Sequence, residues 1–261
     1  MINYWAYIGI SGLVFATILY FVALRVQVMA LVDVVWSAWL GVGALAYFCM
    51  SSDWGLKHIM VLVVILFWSL RLSLYLLVNR VLAGHEDPRY AYLSNYWGAA
   101  SKRNFLFLFY AQIVLVLVFL LPVITAMGQG TTAWAISDTL AVCVALVSLI
   151  GESIADRQLA RFRVAPENQG AVCQSGLWNY SRHPNYFFEW LHWWSYVLFA
   201  WGHPQWAVSL IGPLVMYLFL NYITGVPYAE RSSIRSRGDA YRVYQQTTNT
   251  FFPWKPRALK T

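Results

Sequence analysis

Seven stretches of this chain are apolar for long enough to cross a hydrocarbon core of about 30 Å. They lie near residues 4–25, 29–50, 57–78, 104–127, 131–151, 186–202 and 205–224. Inside lipid every backbone polar group must find a partner within the protein, so such runs read as α-helices. The predicted fold is therefore all-α: one integral membrane domain over 1–261, a bundle of seven transmembrane helices with a polar tail over 225–261. Composition agrees, because 60% of residues are hydrophobic and only 11% charged, against about 25% charged in a soluble domain. The first run is too long for a signal-peptide core and ends in no small-residue cleavage site, so it is expected to stay as a span.

Lysines and arginines orient the bundle. One connection carries Arg80, Arg89, Lys102 and Arg103, and a second carries Arg157, Arg161, Arg163 and Arg182. The tail carries Arg231, Arg235, Arg237, Arg242, Lys255, Arg257 and Lys260, whereas the alternate connections are nearly bare of positive charge. The positive-inside rule then places the N-terminus outside and the C-terminus in the cytoplasm. The net charge of +7 follows this membrane pattern, not a groove-lining patch, which argues against a nucleic-acid partner. Cys49, Cys143 and Cys173 have no metal-ligand spacing and are expected to be reduced and structural. The five histidines are scattered, so no metal site is expected, and a histidine-rich di-iron oxidase is set aside.

Against this apolar background, clusters of polar residues mark candidate function. Residues 176–189 read GLWNYSRHPNYFFE, with Arg182, His183, Asn185 and Glu189 close together. Pro184 suits the first turn of a helix, whose N-terminal amides form a natural anion seat. Asn185 and Glu189 stand one turn apart. In residues 85–90, HEDPRY, Pro88 restricts the backbone around Asp87, so Arg89 projects from a fixed position beside Tyr90; the alternative is a salt-bridged turn. Glu152, Asp156 and Arg163 follow one stripe of a helix that continues beyond the fifth run. Acids there could accept from ribose hydroxyls or an amide, and the arginine could meet a phosphate; the alternative is a solvated helix end. Asp33 sits a few residues inside the second run, either as an interfacial carboxylate or as an inward-facing proton donor. The tail begins a basic helix at Glu230 and Arg231, and Tyr241 and Tyr244 share a face. It reads as a lid over the cytoplasmic mouth or as an amphipathic membrane attachment.

GLWNYSRHPNYFFEW, the acidic end of the fifth helix, EDPRY and GDAYRVY…FFP together resemble the steroid 5-alpha-reductase family, in particular its bacterial branch. The resemblance covers roughly residues 65–255 and is strongest over 150–255. It implies a seven-helix reductase in a bacterial inner membrane, holding NADPH in a cytoplasm-facing cavity and drawing a lipophilic substrate from the bilayer. Positions matching the family's cofactor contacts are Arg71, Arg80, Asp156, Arg163, Asn185 and Glu189. Asp87, Arg89, Tyr90, Glu152, Arg182, His183, Tyr186, Glu230, Arg231 and Tyr241 are added as cofactor-binding candidates, and Asp33 and Glu189 as catalytic ones. Two departures matter: Glu152 replaces a family asparagine, and Trp68 stands where the family has its substrate-carbonyl tyrosine. No GxGxxG follows a strand, so a Rossmann fold is not the cofactor holder. An Arg-His-Pro-x-Tyr segment also occurs in isoprenylcysteine carboxyl methyltransferases and phospholipid N-methyltransferases. The readings are thus an NADPH-dependent reductase of a carbon–carbon double bond in a lipid, an S-adenosylmethionine-dependent methyltransferase, or a non-enzymatic lipid-binding protein.

Overall fold

The computed structural model describes residues 2–51, 55–84, 86–128 and 133–258. His85 and the opening of the run near 131–151 lie outside the described residues. The described chain is helical almost throughout, with no strand among those residues. Six helical segments within it are long and apolar enough to cross a membrane: Asn3–Val26, Leu31–Met50, Leu56–Leu82, Pro88–Met127, Ile136–Val164 and Trp206–Arg237. The run read near 186–202 is a helix of 16 residues, Pro184–Phe199. At 1.5 Å per residue it reaches only about 24 Å; it opens at Pro184, two residues before the run, and stops short of the run's end because the chain turns after Phe199 towards Gly202, whose φ is +85°.

The chain forms two compact units. The first comprises Met1–Asp138 with Tyr196–Gly212. It contains α1 (Ile2–Val26), α2 (Leu31–Met50), α3 (Leu56–Leu76) with a π-helical extension (Leu77–Leu82), α4 (Pro88–Trp97) and α5 (Ser101–Met127). Helix α2 is central, packing on α1, α3 and α5. Close approach is possible because α2 presents small residues: a Cβ on Gly43 would stand 2.7 Å from Leu120 Cδ1 of α5, the small-residue device of helix association in lipid. Buried polar groups then join helices across these seams. Tyr4 donates to Gly43 O at 2.9 Å, Trp39 Nε1 to Ile8 O at 3.1 Å and Ser69 Oγ to Ser37 O at 2.7 Å. Trp68 is fully buried and meets Trp36 edge to face at 5.3 Å.

The second unit comprises Thr139–Ser195 with Pro213–Thr261. It holds most of α6 (Ile136–Val164) and α7 (Pro184–Phe199), a 3-10 turn at Gly176–Asn179, and the end of α8 (Ile211–Leu218). A π-helical turn (Phe219–Ile223), α9 (Val226–Arg237) and α10 (Asp239–Thr247) complete it. Gly151 of α6 lies where any side chain would strike the Phe188 ring of α7. Trp178 Nε1 donates to Ala155 O at 3.0 Å, and Leu177 N to Gln158 Oε1 at 2.9 Å. These bonds seat the segment before α7 on α6.

Candidate functional site

Each unit gathers its own polar cluster. In the first, EDPRY encodes a helix start. Asp87 is the N-cap of α4, its Oδ1 accepting from Arg89 N at 2.9 Å, with Pro88 in the first turn. Glu86 points the other way and closes the N-terminus of α2, accepting from Met29 N and, at 3.0 Å, from Ala30 N. Those amides have no partner within the helix, and a carboxylate there also meets the positive end of the helix dipole. Burial pushes the Glu86 carboxyl above its usual value, against the opposing pull of the Met29, Asp87 and Ala30 amides.

Asp33, in the first turn of α2, is the hub of this cluster. Its Oδ2 accepts from Arg80 Nη1 at 2.7 Å and Arg89 Nη2 at 2.8 Å, and its Oδ1 from the Tyr90 hydroxyl at 2.6 Å. Arg89 also donates through Nε to Asp87 Oδ1 at 2.9 Å, and Arg80 lies 3.1 Å from Asp87 Oδ2. Burial pushes the Asp87 carboxyl up, but the hydrogen bond from Arg89 and the charges of Arg89 and Arg80 outweigh it and hold it below the usual range. Two guanidiniums thus face two carboxylates, of Asp33 and Asp87. The cluster is locked by its own charges, and both arginines keep partly exposed edges. With two guanidinium donors and a phenol on it, Asp33 has the surroundings of an anchor that ties the first turn of α2 to the start of α4. Arg71, on α3, is half-buried in this unit.

In the second unit Arg182 is the hub. Its Nε donates to Glu230 Oε1 at 2.7 Å, Nη1 to Thr248 O at 2.6 Å and Gln245 O at 3.1 Å, and Nη2 to Thr250 Oγ1 at 2.8 Å. Gln245 Nε2 covers the other Glu230 oxygen at 2.8 Å. The backbones of Ser181 and Asn249 form a short parallel bridge, with Arg182 N on Asn249 O at 2.8 Å. Tyr244 OH donates to the carbonyls of Trp178 and Ser181. The tail is therefore stitched onto the start of α7. A phosphate at Arg182 would have to displace most of these bonds.

His183 Nε2 lies 3.4 Å from the same Glu230 oxygen, and its ring stacks on Tyr186 at 5.3 Å. Burial lowers the His183 pKa; Glu230 opposes that shift but does not cancel it. Tyr241 is buried on α10 against Tyr244, and burial, with help from the Glu230 charge, pushes its hydroxyl up to about 12. Arg231 is exposed on α9.

A second pairing in this unit joins α6 to α7. Asn185 Nδ2 donates to Asp156 Oδ1 at 3.2 Å, and Asn185 Oδ1 accepts from Tyr186 N at 3.1 Å. One turn along α7, the buried Glu189 carboxylate accepts from Trp193 Nε1 at 3.3 Å. One turn back along α6 from Asp156, Glu152 is buried. Arg163 is exposed two turns onward, near the C-terminal end of α6. Sequence reasoning did not single out Glu86, Gln158, Trp178, Gln245 or the Thr248 and Thr250 acceptors. The one available signal was the polar run TTNT after an amphipathic helix.

These features define a multi-pass, membrane-type helical protein whose polar residues are concentrated at helix ends. The model of a family described as "Protein of unknown function (DUF1295)" matches residues 19–248. The chain belongs to that family. No curated protein and no solved structure matches it.

Proposed function

We propose that this protein is a membrane-embedded reductase that takes its hydride from NADPH and saturates a carbon–carbon double bond in a lipophilic substrate. The reading rests on the Asn185–Asp156 hydrogen bond, which sets an amide and a carboxylate from two helices side by side with an exposed guanidinium two turns further along α6. That order fits a dinucleotide: a donor–acceptor pair for a carboxamide or ribose, then a cation for phosphate. The resemblance to steroid 5-alpha-reductases points the same way.

In this reading Asn185 and Asp156 orient the cofactor's polar edge, Glu189 supports them from the next turn, and Arg163 meets a phosphate. NADPH, when bound, supplies the hydride; the protein supplies position and a dry, polarising surround. Within the first unit, Asp33 and Asp87 pre-orient Arg80 and Arg89, whose partly exposed edges make a separate surface an anion could meet. Seven crossings, with the N-terminus outside and the C-terminus in the cytoplasm, complete the proposal. The short α7 then forms a crossing only with the turn that follows it, in a membrane that thins or is met by its flanking aromatics.

A methyltransferase using S-adenosylmethionine is the second reading. One observation favours it: Arg80, Arg89 and Arg182 are paired to carboxylates, which leaves fewer arginines for the phosphates that distinguish NADPH from S-adenosylmethionine. Single-turnover reactions of the full chain in nanodiscs separate the two. With NADPH and lipophilic enones, the reductase reading expects a product carrying two more hydrogens. Transfer of label from methyl-labelled S-adenosylmethionine, with no NADPH consumption, would replace it.

A further inference from the structure

A cleft of about 630 Å³ opens beside the C-terminal tail, within the second unit. Its walls include Tyr217, Asn221, Tyr222, Asn249, Phe251 and Trp254. Three observations set it apart from an ordinary surface groove. The first is local backbone: Asn221 and Tyr222 sit on the π-helical turn Phe219–Ile223, a geometry concentrated at functional sites.

The second is a polar group without a partner. Asn249 lines the cleft, and its Oδ1 accepts from Arg257 Nη2 at 3.1 Å, which assigns the amide's orientation. Its Nδ2 is buried and makes no hydrogen bond. A buried, unmet donor is costly, and an acceptor atom in the cleft would remove that cost.

The third is the rim. Tyr222, on the π-helical turn, and Trp254, in the tail after α10, are 67% and 74% exposed, as residues of a membrane–water interface are. Lys255 and Arg257 follow Trp254 and are exposed, while among the described residues no carboxylate lines the cleft.

We infer that this cleft seats the headgroup and glycerol region of one acidic phospholipid. The phosphodiester lies against Arg257 and Lys255, a phosphate or ester oxygen accepts from Asn249 Nδ2, and the acyl chains leave past Phe251, Tyr217 and Trp254 into the bilayer. Anionic headgroups attract juxtamembrane basic residues, and the aromatic rim holds the level of the seat. This site uses none of the residues assigned to NADPH, so it stands or falls separately from the reductase reading.

Native mass spectrometry of the full-length protein, delipidated and then titrated with phosphatidylglycerol or phosphatidylcholine, tests the inference. One phosphatidylglycerol is expected per chain, bound at least about tenfold more tightly than phosphatidylcholine. Arg257→Gln with Lys255→Gln, and separately Asn249→Asp, should each weaken it about tenfold, while Arg257→Lys with Lys255→Arg retains most of it. Arg103→Gln with Arg235→Gln removes as much charge elsewhere and should leave binding intact. Equal loss in that control, equal binding of phosphatidylcholine, or full competition by millimolar inorganic phosphate would each overturn the inference. A thermal melt of every variant shows that it is folded, and Asn249→Asp, which keeps an acceptor for Arg257, provides the comparison should the double charge variant not fold.

Discussion

Arg182 and Glu230, 48 residues apart, form the ion pair that fastens the tail to the start of α7, with Nε and Oε1 at 2.7 Å. The planar guanidinium meets a carboxylate, two backbone carbonyls and a threonine hydroxyl at once, which a lysine ammonium cannot copy. Arg182→Lys should therefore cost about 3 kcal/mol or more, since a mostly buried carboxylate is left poorly paired. The check is a thermal melt together with limited proteolysis, in which cleavage should appear first between residues 239 and 258.

Glu86 is a cap supplied from outside its helix. Replacing it with alanine strands the Met29 and Ala30 amides, and about 1–2 kcal/mol of stability should go with them. Glu86→Gln keeps an acceptor and should recover about half. Equilibrium unfolding in detergent, comparing the two variants, measures the difference.

Asp33 distinguishes an anchor from an acid. In Asp33→Asn both guanidiniums lose a charged partner, and stability should fall by about 1–3 kcal/mol. Any reductase activity should fall only with the fraction of folded protein, with KM for NADPH and kcat per folded chain nearly kept. A collapse of kcat at unchanged stability and unchanged KM would instead make Asp33 the proton donor.

His183 sets a pH dependence. Its folded pKa lies below the unfolded value of about 6.5, so the unfolded state binds the extra proton more readily in between. Stability is fully present above about pH 6.5 and declines as pH falls towards and through the lower folded value. His183→Gln should flatten that part of the curve. Asp87 adds a similar loss only in acid, beginning near its unfolded value of 3.8. Thermal melts from pH 8 to pH 5 resolve the His183 component.

The helices were legible because burial in lipid writes itself as long apolar runs, and α1, α2, α3 and α5 follow those runs within a few residues. Their limits were less so: α7 opens at Pro184 and is cut short at Phe199 by the turn towards Gly202, geometry that hydropathy does not register. The EDPRY turn was readable as a fixed backbone, since Asp-Pro is a helix start. The target of Arg89 was not, because Asp33 lies 56 residues away and only packing of α2 against the α3–α4 connection brings them together. Arg182 shows the same limit more sharply. Half of its partners are backbone carbonyls, and backbone acceptors carry no residue-type signal. The Asn185–Asp156 pair was named in part through helical spacing and in part through family resemblance; their contact is a property of how α6 and α7 cross.

Cofactor binding to the purified full-length protein tests the central claim most directly. At about a hundredfold excess over its dissociation constant, NADPH should stabilise the folded state by about 2.7 kcal/mol, raising the melting temperature by about 5–10 °C. The shift should shrink markedly in Asn185→Ala and Asp156→Ala. Stabilisation by S-adenosylmethionine with none from NADPH, or an NADPH shift that both variants leave untouched, would contradict the account.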